Sequence, residues 1–254
     1  MTPRIRWSWI APRVVGGALA LLLAAELVAG IFWPHGTLTH IGHDYLLYMD
    51  ATRSWLAGGP FYHPYQVAGP YVVEADEILY PPHALVLFVP FTVLPAILWW
   101  VVPLGMLVYA LWRAKPGPWE IAFVIACLCI PKSLQLVTSG SPTMWVAAGL
   151  AFARIGWPAV GGLVKPTLLP IVLAGIRKRS FWVAAAILVL VDVALFGLSI
   201  DYVAVVQNAT GPLATVIYSA GDLGIVGIGL VGWLGPGQPA LRSLRTKIRP
   251  SASA

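Results

Sequence analysis

Residues 14–33, VVGGALALLLAAELVAGIFW, form an apolar run with a single charge, Glu26. A helical crossing of a bilayer needs roughly 20 such residues, so this run is long enough to span one. It does not stand alone: uncharged or nearly uncharged stretches recur at 84–112, 119–131, 133–153, 181–200 (with Asp192) and 223–234. Of 254 residues, 59% are hydrophobic and 10% charged, and the mean hydropathy is +0.80. Soluble domains carry about 25% charged residues. The sequence therefore predicts an all-α polytopic membrane protein, a single membrane domain over residues 1–254, and excludes an ordinary soluble globule.

The bases flank the apolar runs. Arg4, Arg6 and Arg13 precede the first, Arg113 and Lys115 follow the second, and Arg177, Lys178 and Arg179 precede 181–200. Arg242, Arg245, Lys247 and Arg249 form the tail. By the positive-inside rule these mark the cytoplasmic side, giving a cytoplasmic basic start at 1–13 and a cytoplasmic basic tail at 238–254. The net charge of +6 thus has a topological meaning and implies no nucleic-acid partner. The expectation is a multi-pass cell-membrane protein with both termini cytoplasmic and its first run retained as an anchor.

Followed from inside, 14–33 leads outward and 84–112 returns. That return is long for one straight span, and Pro90, Pro95 and Pro103 are expected to break it, with a true span from about residue 96. Residues 119–138 and 181–200 lead outward, and 223–234 brings the tail back in. Between them, 143–176 carries Arg154 and Lys165 with Pro158, Pro166 and Pro170, which predicts short broken or re-entrant helices around a cavity. The sum is about six net crossings. Asn208-Ala-Thr210 fits a glycosylation sequon, a common chance match.

The large first extracytoplasmic loop, 34–83, holds all five histidines and five of the ten acids, with one base, Arg53. It contains GHDYLLYMDATRSWLAGGPFY at 42–62 and closes with EADEILYPPH at 74–83. Asp44, Tyr48, Ala51 and Trp55 follow steps of four, three and four, which places them on one helical face. Asp44 reads equally as a helix N-cap or as a catalytic carboxylate. Lys165 is the second residue singled out, because an ammonium at membrane depth is costly and usually functional; its bland alternative is to snorkel or to pair with Asp192. His40, His43 and Asp44 form an HxxHD string, with His35, His63 and His83 elsewhere in the loop, but the spacing matches no strong zinc pattern. His43 and His83 are better suited to bonding sugar hydroxyls or acidic loop residues.

DYLLYMDA with the following LAGGPFY, then YPPHALVLFVPFTVLP at 80–95, then VKPTLLP at 164–170 before RKRSFW at 177–182, resembles glycosyltransferase family 87. The three signatures, in that order, cover roughly residues 10 to 200. The resemblance implies a short member of the polytopic C-type glycosyltransferases, akin to polyprenol-phosphate-mannose-dependent mannosyltransferases. It implies inverting transfer of a sugar, mannose first among them, from a polyprenyl-phosphate donor to a lipid or glycan acceptor at the extracytoplasmic face. Asp44 matches the general base. Lys165, and more weakly Arg154 and Lys132, are the candidates for the donor phosphate; His43, Tyr48, Trp55, Tyr80 and His83 are those for sugar or acceptor. No obligatory metal or cofactor is implied.

The alternative from another class is a non-catalytic or partner-dependent membrane subunit that keeps this scaffold, with a protein partner completing the membrane domain. A small transporter would explain Lys165 and Asp192 but not the aromatic, acidic loop.

Overall fold

The computed structural model describes residues 7–32, 41–74, 77–211 and 220–235. The chain is mostly helical. Helix α1 (Trp7–Phe32) leads to the loop elements α2 (His43–Leu56), α3 (Pro64–Ala68) and the two-residue strand β1 (Tyr71–Val72). Then follow α4 (Leu85–Phe91), α5 (Leu98–Ala114), α6 (Pro118–Leu128), α7 (Pro131–Ser139) and α8 (Thr143–Ala151). Tight turns and the single-turn α9 (Gly161–Val164) carry the chain to α10 (Arg179–Ala194), α11 (Phe196–Asn208), β2 (Ala209–Thr210) and α12 (Ala220–Leu234).

Among the described residues one helix is long and apolar enough to cross a membrane, over Ile10–Val28, and three would be if each bent pair counted as one span. Shorter apolar helices lie at Pro82–Phe91, Leu98–Ala114 and Asp222–Leu234, so length and composition mark fewer spans than the six crossings expected from the sequence. The run 119–138 is α6 and α7 bent by 71°, because Ile130 is extended and Pro131 opens α7 without a backbone donor. The run 181–200 is also divided: α10 and α11 meet at 93° at Leu195 (φ −101°, ψ 37°). The break in 84–112 falls between Phe91 and Leu98, around Pro95; Pro90 lies inside α4 and Pro103 inside α5 without ending either helix.

The glycine-rich α12 is the axis of the bundle, packed against α5, α6, α7 and α8. Its glycines permit that approach: a Cβ on Gly229 would collide with the carbonyl oxygen of Ala147, and one on Gly232 would come to 3.1 Å from the Cβ atoms of Ala110 and Ala151. The loop folds onto α11. β1 and β2 pair in parallel, Tyr71 opposite Ala209 and Val72 opposite Thr210. Asn208, the sequon residue, spends its amide on the carbonyls of Gln66 and Val67, both at 3.0 Å. Beneath the loop lies an aromatic core in which Tyr48 stacks on Phe88 (ring centroids 5.2 Å apart) and Trp99 meets Phe91 edge-on.

Candidate functional site

The N-terminus of α2 is docked on the C-terminus of α7. Gly42 takes the left-handed conformation (φ 74°) before α2, and its N–H donates to the carbonyl of Thr138 at 2.9 Å. Trp99 and Trp100 donate their indole N–H groups to the carbonyls of Gly140 and Val137, fixing the same junction from α5. Gly42 is the cap residue and makes no side-chain cap, so Asp44 is not the N-cap. The Asp44 carboxylate instead accepts a 2.9 Å hydrogen bond from the hydroxyl of Ser139, across 95 residues of sequence. Lying in the first turn of α2, it also gains from the positive end of the helix dipole.

Lys165 follows the single turn of α9 in extended conformation, and its side chain is only 15% exposed. Its ammonium donates to Asp222 Oδ1 at 2.7 Å and to Thr143 Oγ1 at 2.8 Å, and the Thr143 hydroxyl donates to the same Asp222 oxygen at 2.6 Å. The bland alternative of an ion pair is met, with Asp222 in place of Asp192. Asp222, at the start of α12, is the counter-ion, because packing of α12 against α7 and α8 carries that carboxylate beside α8.

These groups meet. Asp44, Tyr80 and Asp222 all act electrostatically on Lys165. Tyr48 and Tyr80 lie edge to face at 5.0 Å, and the Lys165 ammonium acts on Tyr80. Burial, above all, holds the Tyr48 phenol well above its ordinary range; it also raises Tyr80, against the pull of the Lys165 ammonium. Both phenols therefore keep their protons at neutral pH. The result is one carboxylate held by a hydroxyl, one ammonium matched to a second carboxylate, and two neutral phenols. Such an arrangement can accept a proton at Asp44, hydrogen-bond a polyhydroxylated ligand and present a positive charge at Lys165.

His43 is half-buried at the first residue of α2, next to Asp44. His83 spends both ring nitrogens inside the protein: Nδ1 lies 2.8 Å from Asp192 Oδ2, and Nε2 donates to the carbonyl of Leu163 at 3.0 Å. Its backbone N–H donates to the other Asp192 oxygen at 3.1 Å. These contacts occupy both ring nitrogens that the sequence reading offered to sugar hydroxyls or acidic loop residues. Because Leu163 lies two residues before Lys165, His83 anchors the segment that presents the ammonium.

Trp55 is eleven residues along α2 from Asp44, about 16 Å at the helical rise. It lines a separate cavity of about 460 Å³ with Phe61, Tyr62 and Asp201. Lys132 is exposed at the opposite end of α7 from Ser139 and donates to Gln135 at 3.1 Å. Arg154 donates to the carbonyls of Trp233 and Gly235, at the end of α12 remote from Asp222. Of the three cations considered for a phosphate, Lys165 is the one on which the Asp44 charge acts.

Among the described residues no group of three or more His, Cys, Asp or Glu side chains is placed to hold a metal ion. His35 and His40, invoked in the HxxHD reading, and Asp76 lie outside the described residues. Sequence reasoning missed Ser139, Thr143 and Asp222. The available signal for Asp222 was that it is the one acid bordering the run 223–234; for the hydroxyls there was only the SGSPT string at 139–143. Comparison with known proteins gives no counterpart: no family model, no curated protein and no solved structure matches this chain.

Proposed function

We propose that this chain is a membrane-embedded C-type glycosyltransferase, as its resemblance to family 87 suggests. In this reading it transfers a sugar, mannose first among them, from a polyprenyl-phosphate donor to an acceptor hydroxyl at the extracytoplasmic face. The observation that carries the reading is that the Asp44 carboxylate lies within electrostatic reach of the buried Lys165 ammonium, although the two are far apart in sequence. Asp44 takes the proton of the acceptor hydroxyl as its oxygen attacks the sugar's anomeric carbon. The bond from that carbon to the phosphate oxygen breaks, the configuration inverts, and the polyprenyl phosphate leaves with the bonding pair. Lys165 stabilises the charge that develops on it. The ion pair with Asp222 means that a phosphate must share or take the ammonium from that carboxylate. Tyr48 and Tyr80 supply hydroxyl groups to the sugar.

The test is transfer by the purified protein in lipid, offered a panel of radiolabelled polyprenyl-phosphate sugars, for wild type and Asp44→Asn. The amide keeps the size of the side chain and can still accept the Ser139 hydrogen bond but cannot take a proton, so transfer is expected to fall by about 10²–10⁴-fold. Unchanged turnover in the variant would remove Asp44 from the mechanism. One observation favours a second reading: Lys165 is already fully charge-balanced by Asp222, as befits a scaffold that has lost its donor. Absence of transfer from every donor by folded wild-type protein would select that reading, a non-catalytic or partner-dependent subunit.

A further inference from the structure

At the other end of α12 from Asp222, a cavity of about 260 Å³ opens between α5, α8 and α12. Its charged lining is of one sign, Arg113 from the last turn of α5 and Arg154 just after α8; the rest includes Ala114, Ala151, Phe152 and Gly235. The two arginines differ in what they do. Arg154 is occupied in part, donating to the carbonyls of Trp233 and Gly235 and so closing the C-terminus of α12. Arg113 makes no ion pair or hydrogen bond among the described residues, so its planar fork of donors is uncommitted.

We propose that this cavity binds the phosphate headgroup of an acidic phospholipid. A guanidinium matches a phosphate with two parallel hydrogen bonds, and a second one fixed nearby adds charge. Small apolar walls suit the glycerol and first methylenes better than they suit a hydrated inorganic ion. The surroundings agree: Trp112 is 71% exposed and Tyr109 half-exposed beside Arg113, aromatic rings of the kind that settle at a headgroup boundary. Basic pockets between helices on the cytoplasmic side attract anionic headgroups in this way. The inference rests on the membrane residence proposed above and is independent of glycosyl transfer.

The test is retention of phosphatidylglycerol against phosphatidylcholine by the purified full chain, read by native mass spectrometry from mixed micelles. Thermal unfolding with each lipid and with inorganic phosphate is followed in parallel. Wild type is expected to prefer phosphatidylglycerol by about tenfold, the worth of a charge-assisted hydrogen bond or two. Arg113→Gln, an exposed position that leaves the α12 cap intact, should bring the ratio near one, and Arg113→Lys should retain an intermediate preference. Equal retention of the two lipids by wild type, or a preference untouched by Arg113→Gln, would overturn the site. Displacement of the lipid by millimolar inorganic phosphate would overturn the lipid and assign the same arginines to a soluble phosphorylated ligand. Membrane residence is measured separately by alkaline extraction, so its failure is distinguishable from failure of the site.

Discussion

Lys165 and Asp222 set two opposite charges 2.7 Å apart in the interior of the bundle. Both partners are largely buried, at 15% and 8% exposure, and Thr143 saturates the same carboxylate oxygen. Removing one member leaves an uncompensated charge and costs about 3–5 kcal/mol, whereas replacing both with apolar side chains of similar volume is close to neutral. Lys165→Met or Asp222→Leu alone should therefore lower the unfolding temperature sharply, and the double variant should regain most of it. If Lys165 serves the donor phosphate, the double variant stays inactive in transfer although folded. Equal stability of all three variants would show the pair to be solvated.

The phenols of the loop make a second residue-scale prediction. Tyr48, Tyr62 and Tyr80 are all raised, first by burial; for Tyr62, Tyr202 and the carboxylates of Asp192 and Asp201 add to it. A phenol with a raised folded pKa holds its proton more tightly folded than unfolded. Its contribution to stability is thus complete below the ordinary value of about 10 and is lost as pH climbs above it. In an alkaline titration these phenolates should appear only together with loss of helical circular dichroism. Their ionisation with the helices intact would contradict the packing of the loop.

At the scale of elements, what was legible in the sequence depended on how local its cause was. The helix bearing Asp44, Tyr48 and Trp55 could be read because spacing and the Gly58-Gly59-Pro60 terminator act within a few residues, and α2 runs from His43 to Leu56 as that pattern requires. The break near Pro95 was legible for the same reason. The bends at Ile130 and Leu195 were not, since a continuous apolar run does not reveal where packing turns it. Nor was the partner of Lys165, because Asp222 arrives by the path of α12 through the bundle. His83 illustrates the same limit: its type and loop position suggested a ligand group, while Asp192 and Leu163, from distant elements, claim it.

The central position of α12 yields a paired test. Gly229→Ala places a methyl against the backbone of α8 and should destabilise by about 1–3 kcal/mol, the usual cost of overpacking. Gly105→Ala in α5 meets nothing within 4 Å and should stabilise by about 0.5–1 kcal/mol through helix propensity alone. Thermal unfolding of the two variants checks both signs. Similar effects at both positions would mean that α12 is not threaded between its neighbours.

At the scale of the whole molecule the question is which solvent covers the apolar surface. Along Ile10–Val28 of α1 only about 6% of the residues are buried within the protein, and Val14 and Leu21 are well exposed. Its main contact is one stripe against α6, where Gly16 lies against Ala122. α10 repeats the situation, with Val183, Leu190 and Val193 each more than 60% exposed along its length. Soluble monomers rarely expose contiguous apolar patches beyond a few hundred Å². A bilayer accommodates such helices without further partners, because a lipid-facing surface has no water to exclude. The chain should accordingly remain with the membrane pellet under alkaline carbonate and be released by detergent. An added Leu190→Asp, a carboxylate set on the outward face of α10, should cost about 2.5–3.5 kcal/mol if that helix lies at the centre of a bilayer and very little if it faces water. Quantitative recovery of wild type in the carbonate supernatant, with the aspartate variant equally stable, would remove the membrane. The lipid-linked donor would then go with it.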